Sequence, residues 1–366
     1  MKIKYTQDIY YNDLKEIYNS KKKNCRAGIK PKLVTLKPTL SCNARCSHCE
    51  GRMKKFENGK VLKIEDYEYI LGSLKELGTE KICISGGEPL LYKNLTELIK
   101  LSSKLGMATS LNTNGWLLDK NIASNLFKNG LVEINLSIDF PNIYHDKFRG
   151  IKGLLEKIKS TIPEINKLDI DYILNIRMVL MKNNFKDIFG MMDLVKELRA
   201  DIFSIDLLEN NFNDKDLLLN AEDIVIFNKK IKPKIIERLK KVNFENDELK
   251  EIAIKQINSM YDIKFNSYKN FQNGLYWANN NIQRKCKIPY NFLIIEGDGS
   301  VLPCNSVEYT RNPIVGNLFR NNIKDIWESI EFNNFRENRF EFCRKCPMNM
   351  STVIKFNNKI IKRDVD

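Results

Sequence analysis

The sequence predicts an α/β protein assembled from repeated βα units, and three observations carry that expectation. Six short runs rich in β-branched and other apolar residues fall between residues 33 and 208. They read as near-continuous apolar stretches, which suits strands covered on both faces by helical crossovers. Helix-period segments separate them. With right-handed crossovers, such units build either a doubly wound sheet or a barrel, and both place their chemistry at the carboxyl ends of the strands.

Taken in order, the strand candidates are LVTLKPT (33–39), KICIS (81–85), ATSLNT (108–113), VEINLSID (132–139), YILNIRMVLM (172–181) and IFSIDLL (202–208). Before the second, IEDYEYILGSLKELG puts Tyr67, Ile70, Leu74 and Leu77 on one helical face and stops at Gly78, a C-cap signal. FKDIFGMMDLVKEL does the same with Phe185, Ile188, Met192, Val195 and Leu198. Residues 209–283 change character: Asn-rich ENNFNDKD precedes helical segments, one restarting at Pro233 and one aligning Leu249, Ile252, Ile257 and Met260. This reads as a helical connector, placed to cover a barrel mouth. From residue 284 a small domain follows, in which FLIIEGDGSVLPC turns at Asp298-Gly299 between two apolar runs, a hairpin signal. Residues 1–30 read as an N-terminal extension and 351–366 as a polar tail.

The 366 residues carry 43% hydrophobic and 29% charged side chains, the balance of a globular chain with a sizeable core. No apolar run approaches the roughly 18 to 20 residues that span a bilayer, and the N-terminus has no secretory h-region, so neither membrane insertion nor secretion is expected. Cytoplasmic placement follows. The net charge of +14 comes from lysines scattered among Asn and Ile, without a compact basic block interleaved with aromatics, which argues against a nucleic-acid partner.

Nine cysteines in a reducing compartment point to metal ligands where they cluster. Cys42, Cys46 and Cys49 lie within LSCNARCSHCEGR as C-x3-C-x2-C, one ligand short of a tetrahedral or cubane set. Thiolates select zinc or iron-sulfur clusters. A structural zinc site wants four ligands, and His48 inside the C-x2-C cannot add one without strain, so the triplet suits a 4Fe-4S cubane with one open iron. Cys286, Cys304, Cys343 and Cys346 form a second set, complete in itself, for which zinc stays open as the alternative. Cys83 sits in a strand candidate and reads as a small buried hydrophobe, and Cys25 has no evident partner.

C-x3-C-x2-C after a first strand and SGGEP (85–89) after a second resemble the radical S-adenosylmethionine (SAM) superfamily. The resemblance implies a partial (β/α)6 TIM-like barrel over residues 31–208, in which SAM takes the vacancy on the three-cysteine cluster. It further implies that His48 packs on the adenine and that Gly86, Gly87 and Glu88 engage the SAM amino group, with Pro89 fixing the turn. LNTNG (111–115) and LSID (136–139) match strand-end motifs of the family, which makes Asn112, Ser137 and Asp139 candidate SAM contacts. HDKFRG (145–150) resembles a motif of members with an extra cluster domain. Its Arg149, together with Arg177 of the fifth run, is a candidate for the SAM carboxylate, since guanidinium pairs bidentately with carboxylate.

Residues 284–350 resemble the SPASM and twitch type of auxiliary iron-sulfur domain. SPASM domains use further cysteines after the C-x2-C, and none follows Cys346, which points to a twitch-like domain with one auxiliary 4Fe-4S cluster held by four cysteines. The implied activity is reductive cleavage of SAM to a 5′-deoxyadenosyl radical that abstracts hydrogen from substrate, served by a low-potential donor such as flavodoxin or ferredoxin. A single saturated auxiliary cluster resembles the radical SAM dehydrogenase of aminoglycoside biosynthesis, so a sugar, cyclitol or nucleoside is expected ahead of a peptide. Peptide maturation is the alternative within the enzyme class. A different class, an electron carrier or a zinc-stabilised nucleic-acid module, would lack SAM cleavage.

Overall fold

Each apolar run becomes a parallel strand, its ends within two residues of those expected. The computed structural model describes residues 2–5, 30–49, 61–208, 216–264, 266–276, 286, 288–305, 313–338, 343, 346, 352–359 and 361–364, so Cys25 lies outside the described residues. After β1 (Lys2–Tyr5) come β2 (Leu33–Lys37), α1 (Ile64–Glu76), β3 (Lys81–Ile84), α2 (Leu95–Lys104), β4 (Ala108–Thr113), α3 (Lys120–Lys128), β5 (Leu131–Ser137), α4 (Tyr144–Arg149), α5 (Leu154–Asn166), β6 (Ile173–Leu180), α6 (Ile188–Glu197) and β7 (Ile202–Leu207). The connector holds α7 (Ala221–Ile226), a π-helical turn (Phe227–Ile231), α8 (Lys232–Lys241), α9 (Asp247–Ser259) and α10 (Tyr268–Gln272). Then follow β8 (Phe292–Glu296), β9 (Ser300–Leu302), β10 (Gly316–Asn317), α11 (Ile323–Glu328), α12 (Ile330–Glu337), β11 (Thr352–Lys355) and β12 (Ile361–Asp364).

Ten strands form one sheet in the order β10-β9-β8-β2-β3-β4-β5-β6-β7-β11. Every neighbouring pair from β8 to β7 is parallel, and β9, β10 and β11 are antiparallel additions at the edges. This is a partial TIM-like barrel extended at both edges.

Residues two apart on a strand share a face, and the two faces here differ in kind. Val34, Leu36, Ile82, Ile84, Ile134 and Phe203 are buried against the helices in one large apolar cluster. The opposite face is polar. Lys81 pairs with Glu133 at 2.9 Å, Asn175 Nδ2 donates to Asn135 at 2.7 Å, Ser204 donates to Asn175 at 2.9 Å, and Arg177 pairs with Asp206 at 2.7 Å. Lys81 on β3 reaches Glu133 on β5 across the intervening β4, as the concave side of a curling sheet allows. Cys83 belongs to this polar face and donates to Asn112 Oδ1 at 3.5 Å, so it is not the apolar core residue its strand suggested.

Three expectations about the outer parts change. The hairpin beginning at residue 292 does not stand apart: β8 lies beside β2 with Leu33 opposite Phe292 and Lys37 opposite Glu296, so the cysteine-bearing C-terminal region continues the barrel wall. The connector does not cover the mouth in its α9 part. That helix packs beside edge strand β11, where the Val353 N–H donates to Gln256 Oε1 at 2.9 Å, and Ile252 turns outward while Leu249, Ala253 and Ile257 are buried. The polar tail is not a tail. β11 pairs antiparallel with β7, β12 pairs with β1, and Ile361 is buried with Ala108, Val132, Ile173 and Ile202, residues from the amino ends of β4 to β7. An isolated four-residue strand has no apolar face of its own to reveal it, so its burial depends wholly on the surface that it meets.

No helix among the described residues is long and apolar enough to cross a membrane.

Candidate active site

β2 delivers the chain into the loop bearing Cys42, Cys46 and Cys49, at the carboxyl end of the parallel sheet. Two neighbours shape this loop. On one side lies the SGGEP turn after β3: the Gly87 N–H donates to Thr39 O at 2.9 Å and the Glu88 N–H to Ser41 O at 2.8 Å. A Cβ on Gly86 would stand 2.3 Å from Thr39 O, and one on Gly87 would stand 2.2 Å from Ser41 O and 2.5 Å from Leu40 O. The two glycines are therefore needed where backbone meets backbone, since no side chain fits at such distances. On the other side lies the end of α4. The Arg45 N–H donates to Arg149 O at 2.8 Å, the Ser47 N–H to Phe148 O at 3.1 Å, and the His48 ring stacks on Phe148 with centroids 5.0 Å apart and planes 8° apart.

Glu88 is buried, and its carboxylate accepts from the Leu90 N–H (3.1 Å), Thr113 Oγ1 (2.8 Å) and the Asn114 N–H (2.8 Å). Burial raises its pKa even so, the hydrogen bonds opposing. Its side chain thus ties the turn after β3 to the end of β4, while Pro89 opens the short 3-10 turn that follows. Asn114 continues the tie, donating from Nδ2 to Asn43 Oδ1 at 2.8 Å. Asn112 donates to Ser85 Oγ at 3.3 Å.

Asp139 and Arg149, both candidate SAM contacts, pair with each other. Arg149 Nη2 and Nε meet Asp139 Oδ2 at 2.6 and 2.9 Å, and the Val179 N–H donates to Asp139 Oδ1 at 3.0 Å. Both are buried, which makes the pair obligatory because a lone buried charge is far costlier than a paired one. Burial opposes ionisation of Asp139, but the guanidinium, the nearby His48 and His145 and the Val179 hydrogen bond together outweigh it and hold the carboxyl below its ordinary range. The remaining arm of Arg149, Nη1, donates to Cys46 Sγ at 3.6 Å. Arg177 is paired with Asp206 on the concave face, and both remain partly exposed. Ser137 ends β5, level with Arg177.

Burial raises the Cys42 and Cys46 pKa values first, and neighbouring Cys49 raises both further, while Arg149 pulls them down. Among the described residues, no three Cys, His, Asp or Glu side chains converge as tightly as a single metal ion demands. A cubane holds its ligands at separate corners, and three soft sulfurs on one loop fit that group. Asn43 Nδ2 and His48 Nδ1 are buried there without a hydrogen-bond partner among the described residues, which fits a ligand bringing polar atoms of its own. Burial pushes the His48 pKa down to about 4, so its ring is neutral near pH 7.

The second cysteine set is half-buried and spread over separate segments. Cys346 N–H approaches Cys343 O at 3.4 Å, closing the C-x2-C turn. Arg336, unnoticed in the sequence, ties the turn that follows Cys286 to α11. It donates to Pro289 O at 3.0 Å and Trp327 O at 2.8 Å, and its guanidinium lies 4.1 Å from the Trp327 ring and 4.0 Å from that of Phe332. Of the other braces, Asn43, Thr113 and Phe148 lie inside or beside the motifs already singled out, and that adjacency was the available signal.

A thiol loop at the carboxyl mouth of a partial barrel, with a second cysteine region built into the same sheet, defines an iron-sulfur enzyme of the α/β-barrel class. Residues 36–195 match the radical SAM superfamily and residues 286–347 match SPASM, the iron-sulfur cluster-binding domain. The chain belongs to the radical SAM superfamily, with 4Fe-4S clusters and SAM as its cofactors.

Fe-coproporphyrin III synthase of Methanosarcina barkeri is 32% identical over 168 residues, 46% of this chain and 42% of that protein, so the match spans less than half of the relative. GTP 3',8-cyclase of Campylobacter jejuni is 31% identical over 218 residues, covering 58% of this chain and 67% of the cyclase. SuiB of Streptococcus suis bound to SAM shares the fold, with a TM-score of 0.65 at 20% identity over 93% of this chain and 75% of SuiB.

Proposed function

We propose that the protein is a cytoplasmic radical SAM oxidoreductase acting on a polar small molecule, with Cys42, Cys46 and Cys49 holding the SAM-binding cluster and Cys286, Cys304, Cys343 and Cys346 one auxiliary cluster. When bound, the reduced cluster and SAM together supply a 5′-deoxyadenosyl radical able to take hydrogen from carbon. This chain's residues do the rest. The turn at Gly86 and Gly87 and the end of α4 hold the cysteine loop at the barrel mouth, with Glu88 bracing the turn.

The observation that carries the substrate class is the polar concave face. Amide, hydroxyl and paired charged groups line it, and Arg177 with Asp206 stands partly exposed at the carboxyl end of β6 and β7. An apolar substrate would strip water from these groups and offer no hydrogen bond in return, whereas a sugar, cyclitol or nucleoside can hydrogen-bond to them. One relative's name specifies GTP, a polar nucleotide, which accords with this reading. Four thiolates saturate the auxiliary cluster, so its role is electron transfer, and the first cluster draws its electron from a low-potential donor such as flavodoxin or ferredoxin. Anaerobically reconstituted, reduced protein is expected to convert SAM to 5′-deoxyadenosine, with deuterium passing into that product from a labelled polyol or nucleoside. No SAM cleavage would overturn the enzyme assignment, and label arriving only from peptides would overturn the substrate class.

A further inference from the structure

The end of α4 touches the cysteine loop by four independent contacts, and one of them reaches a cluster-ligand candidate directly. Two are backbone hydrogen bonds, Arg45 N–H to Arg149 O and Ser47 N–H to Phe148 O, and the third is the His48 stack on Phe148. The fourth is Arg149 Nη1 to Cys46 Sγ at 3.6 Å. Gly150 closes the helix with φ +69°, and a Cβ there would approach Arg45 Cβ to 3.1 Å, so the helix end is shaped to lie against the loop. The guanidinium cannot swing away to another partner. Its Nε and Nη2 are fixed on Asp139, and Asp139 is itself fixed by the Val179 N–H on β6, while its main-chain oxygen accepts from Asn184 Nδ2 at 3.0 Å.

We propose that Arg149 is a positioning residue that sets the reduction potential of the three-cysteine cluster through its hydrogen bond to the sulfur of Cys46, with Asp139 holding it in place and balancing its charge. This rests on the reading that Cys42, Cys46 and Cys49 ligate that cluster. A cluster gains negative charge on reduction, and a cationic donor aimed at a ligand sulfur stabilises the reduced form more than the oxidised one. The potential therefore rises with Arg149 present. Asp139 acts with the opposite sign, because its carboxylate lies behind the guanidinium and offsets part of its field. A guanidinium spent this way is withdrawn from the SAM carboxylate, the role its motif suggested.

The test is a redox titration of the anaerobically reconstituted full chain, followed by electron paramagnetic resonance, with the SAM-responsive signal identifying the first cluster. Arg149→Gln is expected to shift its midpoint to more negative potential and Asp139→Asn to more positive potential, with iron content retained and the auxiliary signal unmoved. Opposite signs separate tuning from mere support, since loosening the loop would move both variants alike. Shifts of one sign, or no shift at full iron content, overturn the proposal. Where a single variant leaves a buried charge alone and loses iron, the double variant carries the test: its midpoint should lie below that of the unsubstituted protein, and an unchanged midpoint overturns the assignment. A SAM-responsive cluster that survives in Cys46→Ala would instead overturn the ligand reading beneath it.

Discussion

The two cysteine regions solve the same problem in different ways. Cys42, Cys46 and Cys49 lie in one short loop, and two neighbouring turns hold its backbone directly: the Gly87-Glu88 amides on one side and the Phe148-Arg149 carbonyls on the other. Cys286, Cys304, Cys343 and Cys346 instead lie on separate segments, which the pairing of β8 with β2 and the Arg336 tie between Pro289 and Trp327 anchor to the rest of the fold. A local site can be read as a spacing. A dispersed site exists only when the sheet around it has formed, so its integrity should follow long-range packing.

Substituting the ligands gives the largest expected contrast. Cys42→Ala, Cys46→Ala or Cys49→Ala should abolish 5′-deoxyadenosine formation, measured by chromatography, whereas Cys343→Ala should lose the iron of one cubane and keep some SAM cleavage. Equal loss from both sets would erase the division of labour.

Gly87→Ala tests the bracing of the first loop alone. With Ser41 O 2.2 Å from the added Cβ, backbone must move, at a cost of about 1–3 kcal/mol or more in denaturant unfolding. The SAM-responsive cluster signal should weaken while the auxiliary signal persists. Arg336→Ala is the converse. It removes two donors to buried carbonyls, which costs about 1–3 kcal/mol for each carbonyl left unsatisfied, and should deplete auxiliary iron first.

A pH series sharpens the comparison from the side of α4. Burial, with the Arg149 charge adding to it, pushes the His145 pKa down to about 4, so the folded protein keeps this ring neutral while the unfolded chain protonates near 6.5. Its contribution to stability is present above about pH 6.5 and is lost as pH falls toward 4. Glu88 runs the other way, because a raised carboxyl pKa costs stability as pH rises through the folded value. Unfolding free energy should therefore fall between pH 7.5 and 5.5, and fall less steeply in His145→Gln. The smallest effect is a control: nothing lies within 4 Å of a Cβ on Gly72 in α1, so Gly72→Ala should stabilise by about 0.5–1 kcal/mol and leave both clusters untouched.

Much of this was legible in the chain because its signals are local. The strand runs alternate with helical periods, so β2 to β7 emerge from residue order, and the cysteine spacing with SGGEP points to a cluster site at strand ends. Side-chain partnership was not legible. Asp139 and Arg149 sit in motifs that suggest ligand contact, yet burial leaves each no cheaper partner than the other. Glu88 likewise spends both carboxylate oxygens on protein donors.

By itself, then, the sequence determined the βα order, the cysteine loop and its glycine turn, since each rests on contacts between residues near in the chain or on backbone needs of single positions. Only the tertiary structure decided that β8 would extend the barrel wall, that β11 and Ile361 would close its far edge and floor, and that Arg149 would face Cys46. Those pairings join residues about 100 to 260 positions apart, where strand register and burial, not local propensity, choose the partner.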